Sequence, residues 1–203
     1  SSLLRAFAVN SAKKISTMIA TGFGVMNPYE SFGFTGVGLR VGNHISIESG
    51  EHHFFNIVIK NSGSLFKVTM SYLDPPLPAT SGVPLFADLD LVVVAPNGRV
   101  YKGNGFENKL DEDQFATTEK VIIEKAAKGI YKVNVISSQF PMPSEVHYSI
   151  VVSGNFEQKD FISNPAFISP QRTNSCYTNC KYGKCVRGVC VCDAKYYGHK
   201  CNK

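Results

Sequence analysis

The stretch FADLDLVVVAPNGRVYKGN, residues 86–104, sets Asp88 and Asp90 two apart at the start of an otherwise apolar strand. Alternate residues of a strand share a face, so both carboxylates point one way and Leu89 and Leu91 the other. Carboxylates are costly to bury without a partner. An acidic, amide-rich loop follows, with Asn104, Glu107, Asn108, Asp111, Glu112 and Asp113. Oxygens of this kind suit calcium, which takes roughly 6–8 of them. Asp88, Asp90, Asn104, Asp111 and Asp113 are therefore the candidate calcium ligands, although they lack the regular ligand spacing of an EF-hand. The favoured alternative is turn geometry, in which an aspartate at the strand's start accepts backbone N–H groups. Acid–base catalysis is the least favoured reading. A glycosidase needs its two carboxyls apart across a cleft.

No catalytic residue is assigned elsewhere. Ser16, in STMIATG (16–22), has no assignable base or orienting acid around it. His44, His52, His53, His147 and His199 stand in no recognisable motif and read as half-exposed strand or loop residues. His52 and His53 are neighbours on a strand, so they point to opposite faces and cannot share a metal.

The elements that hold these residues follow from periodicity. Leu3, Leu4, Phe7, Ala8 and Ile15 fall on one helical face, which predicts a helix over 3–15. Gly22, Gly24 and Pro28 then mark a loop. From about 37 to 154 short strands follow, at 52–60, 65–73, 89–95, 120–124, 129–137 and 147–154, with turn signals such as Asn61-Ser62-Gly63 and Pro96-Asn97-Gly98 between them. This pattern predicts an all-β sandwich or barrel. Residues 156–175 contain Pro165 and Pro170, show no period, and read as a linker.

The composition limits the function. A hydrophobic fraction of 43% fits a folded chain, and the net charge of +5 comes from scattered residues that form no dense run. Without a basic helix or an aromatic–basic ladder, nucleic acid is not an expected partner. No apolar run approaches the ~20 residues needed to cross a bilayer. The chain opens at the helix without a Met, which reads as a fragment or processing product with any targeting signal upstream. All six cysteines lie between Cys176 and Cys201. That density implies a disulfide framework and an oxidising compartment: secreted, vesicular or cell surface. Spacing alone leaves the pairing open. A zinc site would prefer paired C-x2-C ligands, which do not occur here.

Four stretches, in order, resemble the C-terminal part of subtilisin-like serine proteases (peptidase S8 type). LLRAFAVNSAKKI (3–15) resembles the helix after the nucleophile helix, and GFGVMNPYESF (22–32) the Gly-x-Gly-x-x-Asn segment that closes the catalytic domain. LFKVTMSYLDPPLPATSGVPLFADLDLVVVAPNGRVYKGN (65–104) and VHYSIVVSGNF (146–156) resemble the jelly-roll domain appended to some members. Some of those domains bind calcium, which the resemblance extends to this chain. The tail, ending GVCVCDAKYYGHKC (188–201), is similar to a short-loop, tenascin-like EGF-like module. That resemblance implies the pairs Cys176–Cys185, Cys180–Cys190 and Cys192–Cys201. The stretch just before the first cysteine, PQRTNSC (170–176), has no acid, so the module itself is not expected to bind calcium.

The expected organisation is the end of a catalytic domain at 1–36, a jelly-roll β-sandwich at 37–156, a linker at 157–174 and an EGF-like module at 175–203. The fold class is mainly β: an antiparallel jelly-roll sandwich with a short N-terminal helix and a small disulfide-rich module. The expected function is that of an accessory region of a secreted subtilisin-like endopeptidase, inactive alone. It would stabilise the catalytic domain upstream, with the module as a rigid spacer or as the contact for a protein or cell-surface partner. On this reading the N-terminal helix exposes an apolar face for the missing domain to cover. The alternative is a calcium-dependent adhesion or carbohydrate-binding protein, with Tyr101 and Phe106 as the aromatics nearest the acidic loop.

Overall fold

The structure is a computed structural model. It describes residues 1–15, 21–30, 37–77, 85–105, 115–137, 140, 144–156, 170–173, 175–176, 179–186, 189–196 and 201–202. The body is built from β1 (Gly38–Glu48), β2 (His52–Ile59), β3 (Ser64–Tyr72), β4 (Leu89–Val94), β5 (Val100–Lys102), β6 (Thr118–Ala126), β7 (Gly129–Ser137) and β8 (Glu145–Gly154). They pair antiparallel into two sheets, ordered β1-β8-β3-β6 and β5-β4-β7-β2. This strand order is the double Greek key of a jelly roll.

Period-2 alternation supplies the core. Phe55, Ile57 and Ile59 of β2 face Phe66, Val68, Met70 and Tyr72 of β3 across the sandwich. Leu89, Leu91 and Val93 of β4 fill the same layer against Tyr148, Ile150 and Val152 of β8. Successive side chains of a strand point to opposite faces, so each strand also has an outer set.

On the four-stranded sheet that outer set is small and polar, yet buried. Thr69, Ser71, Ser149 and Ser153 lie within 1% of full burial. Helix α1 (Ser2–Ser11) packs on β8 and β3. Leu3, Ala6 and Phe7 meet Leu39, Val41 and Val151. Asn10, fully buried, donates from Nδ2 to Thr69 Oγ1 and to Val151 O, both at 3.2 Å, and accepts from Ser153 Oγ at 2.8 Å. Ser2 and Ser149 join their hydroxyls at 2.9 Å. Burying these polar groups costs little because each is hydrogen-bonded.

The helix therefore differs from the sequence expectation in two respects. It ends at Ser11, with Ala12 extended at φ −64°, ψ 132°, so Ile15 lies beyond it. Its covered face runs through Asn10 rather than Leu4, because the sheet beneath offers hydroxyls as well as methyl groups. Lys120 of β6 closes the helix end. Its Nζ donates to Val9 O at 2.7 Å and Ala12 O at 2.9 Å, where the free carbonyls of a helix terminus favour a cation. Lys120→Met is expected to destabilise the protein by about 1–3 kcal/mol, because two carbonyls lose a charged donor. Chemical denaturation should show this with an unchanged slope; an unchanged midpoint would mean that water replaces the ammonium at no cost.

After Ala12 the chain folds back. Lys13 and Val25 exchange backbone hydrogen bonds at 2.8 and 3.1 Å. Gly24, at φ 101°, permits the approach, since a Cβ there would sit 2.7 Å from the Lys13 carbonyl carbon. A 3-10 turn, Pro28–Glu30, touches α1. Ser16 lies outside the described residues.

Beyond the sandwich, β9 (Gln171–Arg172) pairs with β2 and adds a fifth strand to the second sheet. Within the segment read as a linker, β9 takes up the β2 edge, whose free backbone groups accept another strand. The tail forms a hairpin of β10 (Gly183–Val186) and β11 (Val189–Cys192) with bridges Cys176–Cys185, Cys180–Cys190 and Cys192–Cys201. Three disulfides mark an oxidising compartment. Among the described residues no helix is long and apolar enough to cross a membrane.

Candidate functional site

The start of β4 gathers the acidic residues. Leu89 and Leu91 enter the core, and Asp90, on the opposite face, is 2% exposed. Asp88 precedes the strand and is half-buried. Hydrogen bonds from two further residues hold this segment. Asp74 accepts from the N–H groups of Phe86 at 2.9 Å and Ala87 at 2.8 Å. The Tyr72 hydroxyl donates to Ala87 O at 2.6 Å. Asp74 thus holds the backbone just before β4 through two N–H groups.

Glu119 closes the other side. Strand β5 is only three residues long, and its register pairs Val92 with Lys102. Past Lys102 the chain turns away. Gly103 N still donates to Leu91 O at 2.7 Å, and Glu119 Oε2 accepts from Leu91 N at 2.6 Å, taking the place that a longer strand would fill. Gly103 has no side chain because Glu119 occupies the space beside it. Asn104 then enters the left-handed region at φ 52°. Its Nδ2 donates to Thr118 O at 2.9 Å and its Oδ1 accepts from Lys120 N at 3.0 Å, clamping the turn onto β6 on both sides of Glu119.

These groups share an electrostatic field. Burial pushes the Tyr72 hydroxyl far above the usual tyrosine value. The Leu89 N–H pulls it back, and the charges of Asp88, Asp74 and Glu119 push it further up. The charges of three carboxylates therefore act on one buried hydroxyl. Among the described residues here, no nucleophile is paired with a base.

As donors, these carboxylates and amides are the hard oxygens that calcium takes. Among the described residues, however, only Cys176, Cys180 and Cys190 bring three potential ligand atoms within 4.8 Å of one another. Those sulfurs are already in bridges and hold no thiolate for a metal. Asp111 and Asp113, with the rest of 106–114, lie outside the described residues. Asp74 and Glu119 are the site residues that sequence reading missed. Asp74 had a signal, a carboxylate ahead of Pro75-Pro76. Glu119 had none, since TEKVIIEKA alternates as an ordinary surface strand.

The histidines require a correction. His52 and His53 do face opposite ways, but both are buried, at 1% and 2% exposure. His52 Nε2 lies 2.9 Å from Asn134 Oδ1 on the outer face. His53 turns inward at the end of the sandwich, with Nδ1 3.1 Å from the Tyr148 hydroxyl and Nε2 3.5 Å from Glu51 Oε2. Glu51 Oε1 in turn meets Arg172 of β9 at 2.9 Å.

Burial lowers the His53 pKa below its ordinary 6.5, Glu51 raises it, and Arg172 and His52 lower it again. The folded state thus holds this proton less tightly than the unfolded chain. The stability that His53 contributes is complete above pH 6.5 and is lost as pH falls through the folded value. Melting temperatures from pH 7.5 to 5 should decline less steeply in His53→Gln than in the parent chain. Parallel declines would assign the acid sensitivity to other groups.

No family model matches this chain, and no curated protein matches it. Among solved structures it has a likeness to a periplasmic inhibitor of g-type lysozyme from Aeromonas hydrophila. Sequence identity is 18%, over 58% of this chain and 85% of that one, at a TM-score of 0.32. A likeness that slight carries no argument about function.

Proposed function

We propose that this chain is the C-terminal accessory region of a secreted or vesicular subtilisin-like serine endopeptidase. Its jelly roll would stabilise the catalytic domain, and its tail would position the enzyme. The observation that carries this reading is an apolar surface at the N-terminal end. Leu4, Ile15, Val25, Met26 and Tyr29 are 57% to 71% exposed. Their segments are tied together by the Lys13–Val25 bridge and by the contact of α1 with the 3-10 turn. Large exposed apolar side chains on segments tied together in this way are what a protein partner would cover. The stretch that bears them is the one that resembles the end of a catalytic domain. The half of α1 that packs on the sandwich would then couple the two domains.

Tyr101 gives no support to the carbohydrate alternative. It is half-buried against the core with the Arg99 guanidinium 5.0 Å from its ring centre. The direct test is on native material: capture with an antibody to residues 156–203, followed by a serine-hydrolase activity probe. A labelled polypeptide much larger than this chain supports the reading. An unlabelled short chain alone overturns it.

Calcium belongs to the same proposal. Asp88, Asp90 and Asn104, with Asp111 and Asp113, would hold the ion, and Glu119 adds a buried carboxylate beside them. At a free concentration 100 times its dissociation constant the ion would stabilise the fold by about 2.7 kcal/mol. A melting temperature that rises with calcium in the parent chain, and not in Asp88→Asn/Asp90→Asn, is the expected result. A calcium-independent melt would leave the carboxylates to turn geometry alone.

A further inference from the structure

The disulfide module holds a surface that the reading of a rigid spacer does not use. In the β10–β11 hairpin Gly183 pairs with Cys192 and Cys185 with Cys190, so the cysteines share one face. Lys184, paired with Val191, and Val186 belong to the other face. Gly183 lets the bridge close on the first face: a Cβ there would lie 2.9 Å from Cys201 Sγ. The module thus turns its inner face to sulfur, and among the described residues no layer covers the opposite face.

That uncovered face is apolar and aromatic. Tyr182, Val186, Val191 and Tyr196 are 37% to 47% exposed. The rings of Tyr182 and Tyr196 stack with centres 4.1 Å apart at 18°. Cations surround them: Lys184 on the same face, Lys181 with its Nζ 5.2 Å from the Tyr182 ring centre, and exposed Lys195. The basic residues form no dense run, yet the excess of positive charge, read above as scattered, falls in this segment. Residues 175–203 carry six basic side chains against one acid, Asp193. Their net charge of +5 equals the +5 of all 203 residues, so residues 1–174 are neutral overall.

We infer that this face docks on an anionic phospholipid surface. Charge complementarity requires a polyanionic partner for a module that carries the chain's entire excess of positive charge. The apolar stripe selects lipid among polyanions. Valine and tyrosine side chains gain by entering the headgroup boundary, and tyrosine suits a place with one apolar and one wet side. A sulfated glycan would reward the lysines and leave Val186 and Val191 in water. This deepens the positioning role proposed above and rests on that reading for its purpose. A vesicle assay needs no protease, however, so the two ideas can fail separately.

The experiment uses the full chain with phosphatidylcholine vesicles, with and without about 30% phosphatidylserine, at low and high salt. Binding to the anionic vesicles only, weakened by salt, is expected. Each lysine near the surface contributes about fivefold in affinity, so Lys181→Gln/Lys184→Gln should lose about 25-fold. Tyr182→Ser/Val191→Ser should weaken binding while keeping the salt slope. Thiol alkylation would confirm that each variant retains its bridges. A control pair on the sandwich, Lys60→Gln/Lys125→Gln, should bind as the parent does. No binding to anionic vesicles at low salt overturns the inference, and so does an equal loss in the control pair. Retention on heparin without vesicle binding would also overturn it and make the partner a sulfated glycan.

Discussion

Alanine at Gly103 is expected to destabilise the protein by about 1–3 kcal/mol, as overpacking of a filled site does. Its Cβ would fall inside the contact distance of Glu119 Oε2 and 2.7 Å from Glu119 Cβ. The obstacle is therefore the stem of the side chain as well as its flexible tip. Glu119 would have to leave Leu91 N, and a carboxylate that is 1% exposed would lose its place beside β4. Urea denaturation would measure the loss. A cycle with Glu119→Ala tests the cause, since residues in contact are not additive. If the effect passes through Glu119, the double variant should cost clearly less than the sum. Additive losses would mean that Gly103 matters for the backbone turn alone.

Reduction should act on the other end of the chain and leave the sandwich intact. Each bridge closes a loop with a sequence separation of 9 or 10 residues, in a segment too small to bury a core. Loss of one native bridge in such a domain typically costs about 2–5 kcal/mol, so the reduced tail should unfold. The jelly roll holds no cysteine, and its core lies between its own two sheets. Calorimetry with and without reductant should show an unchanged main transition, while amide exchange becomes fast across 176–201. A lowered main transition would mean that the module also steadies the sandwich, with β9 on the β2 edge as the natural route.

Local signals made most of the fold legible. The strands over 52–59, 64–72 and 129–137 follow from alternation, which is a property of neighbouring residues. Strand β1 is harder to see. GLRVGNHISIE carries a register break between Gly42 and Ile45, with His44 at φ 53°, so its alternation changes phase partway. The helix boundary moved from Ile15 to Ser11 because Lys120, more than 100 residues away, supplies the donor that closes the helix there. The candidate site was half legible. Asp88 and Asp90 drew attention as charges in an apolar run, whereas Asp74 and Glu119, which bind the backbone on either side of β4, looked like ordinary turn and surface residues.

By itself the sequence determined the class of the sandwich and the disulfide-rich tail. Each of these depends on composition or on spacing within a few residues. Only the tertiary structure decided what the polar residues do. Asn10, Glu119, Lys120 and His53 are buried because strands distant in sequence bring them hydrogen-bond partners. Whether a polar side chain can afford burial depends on those partners, and a linear pattern does not contain them.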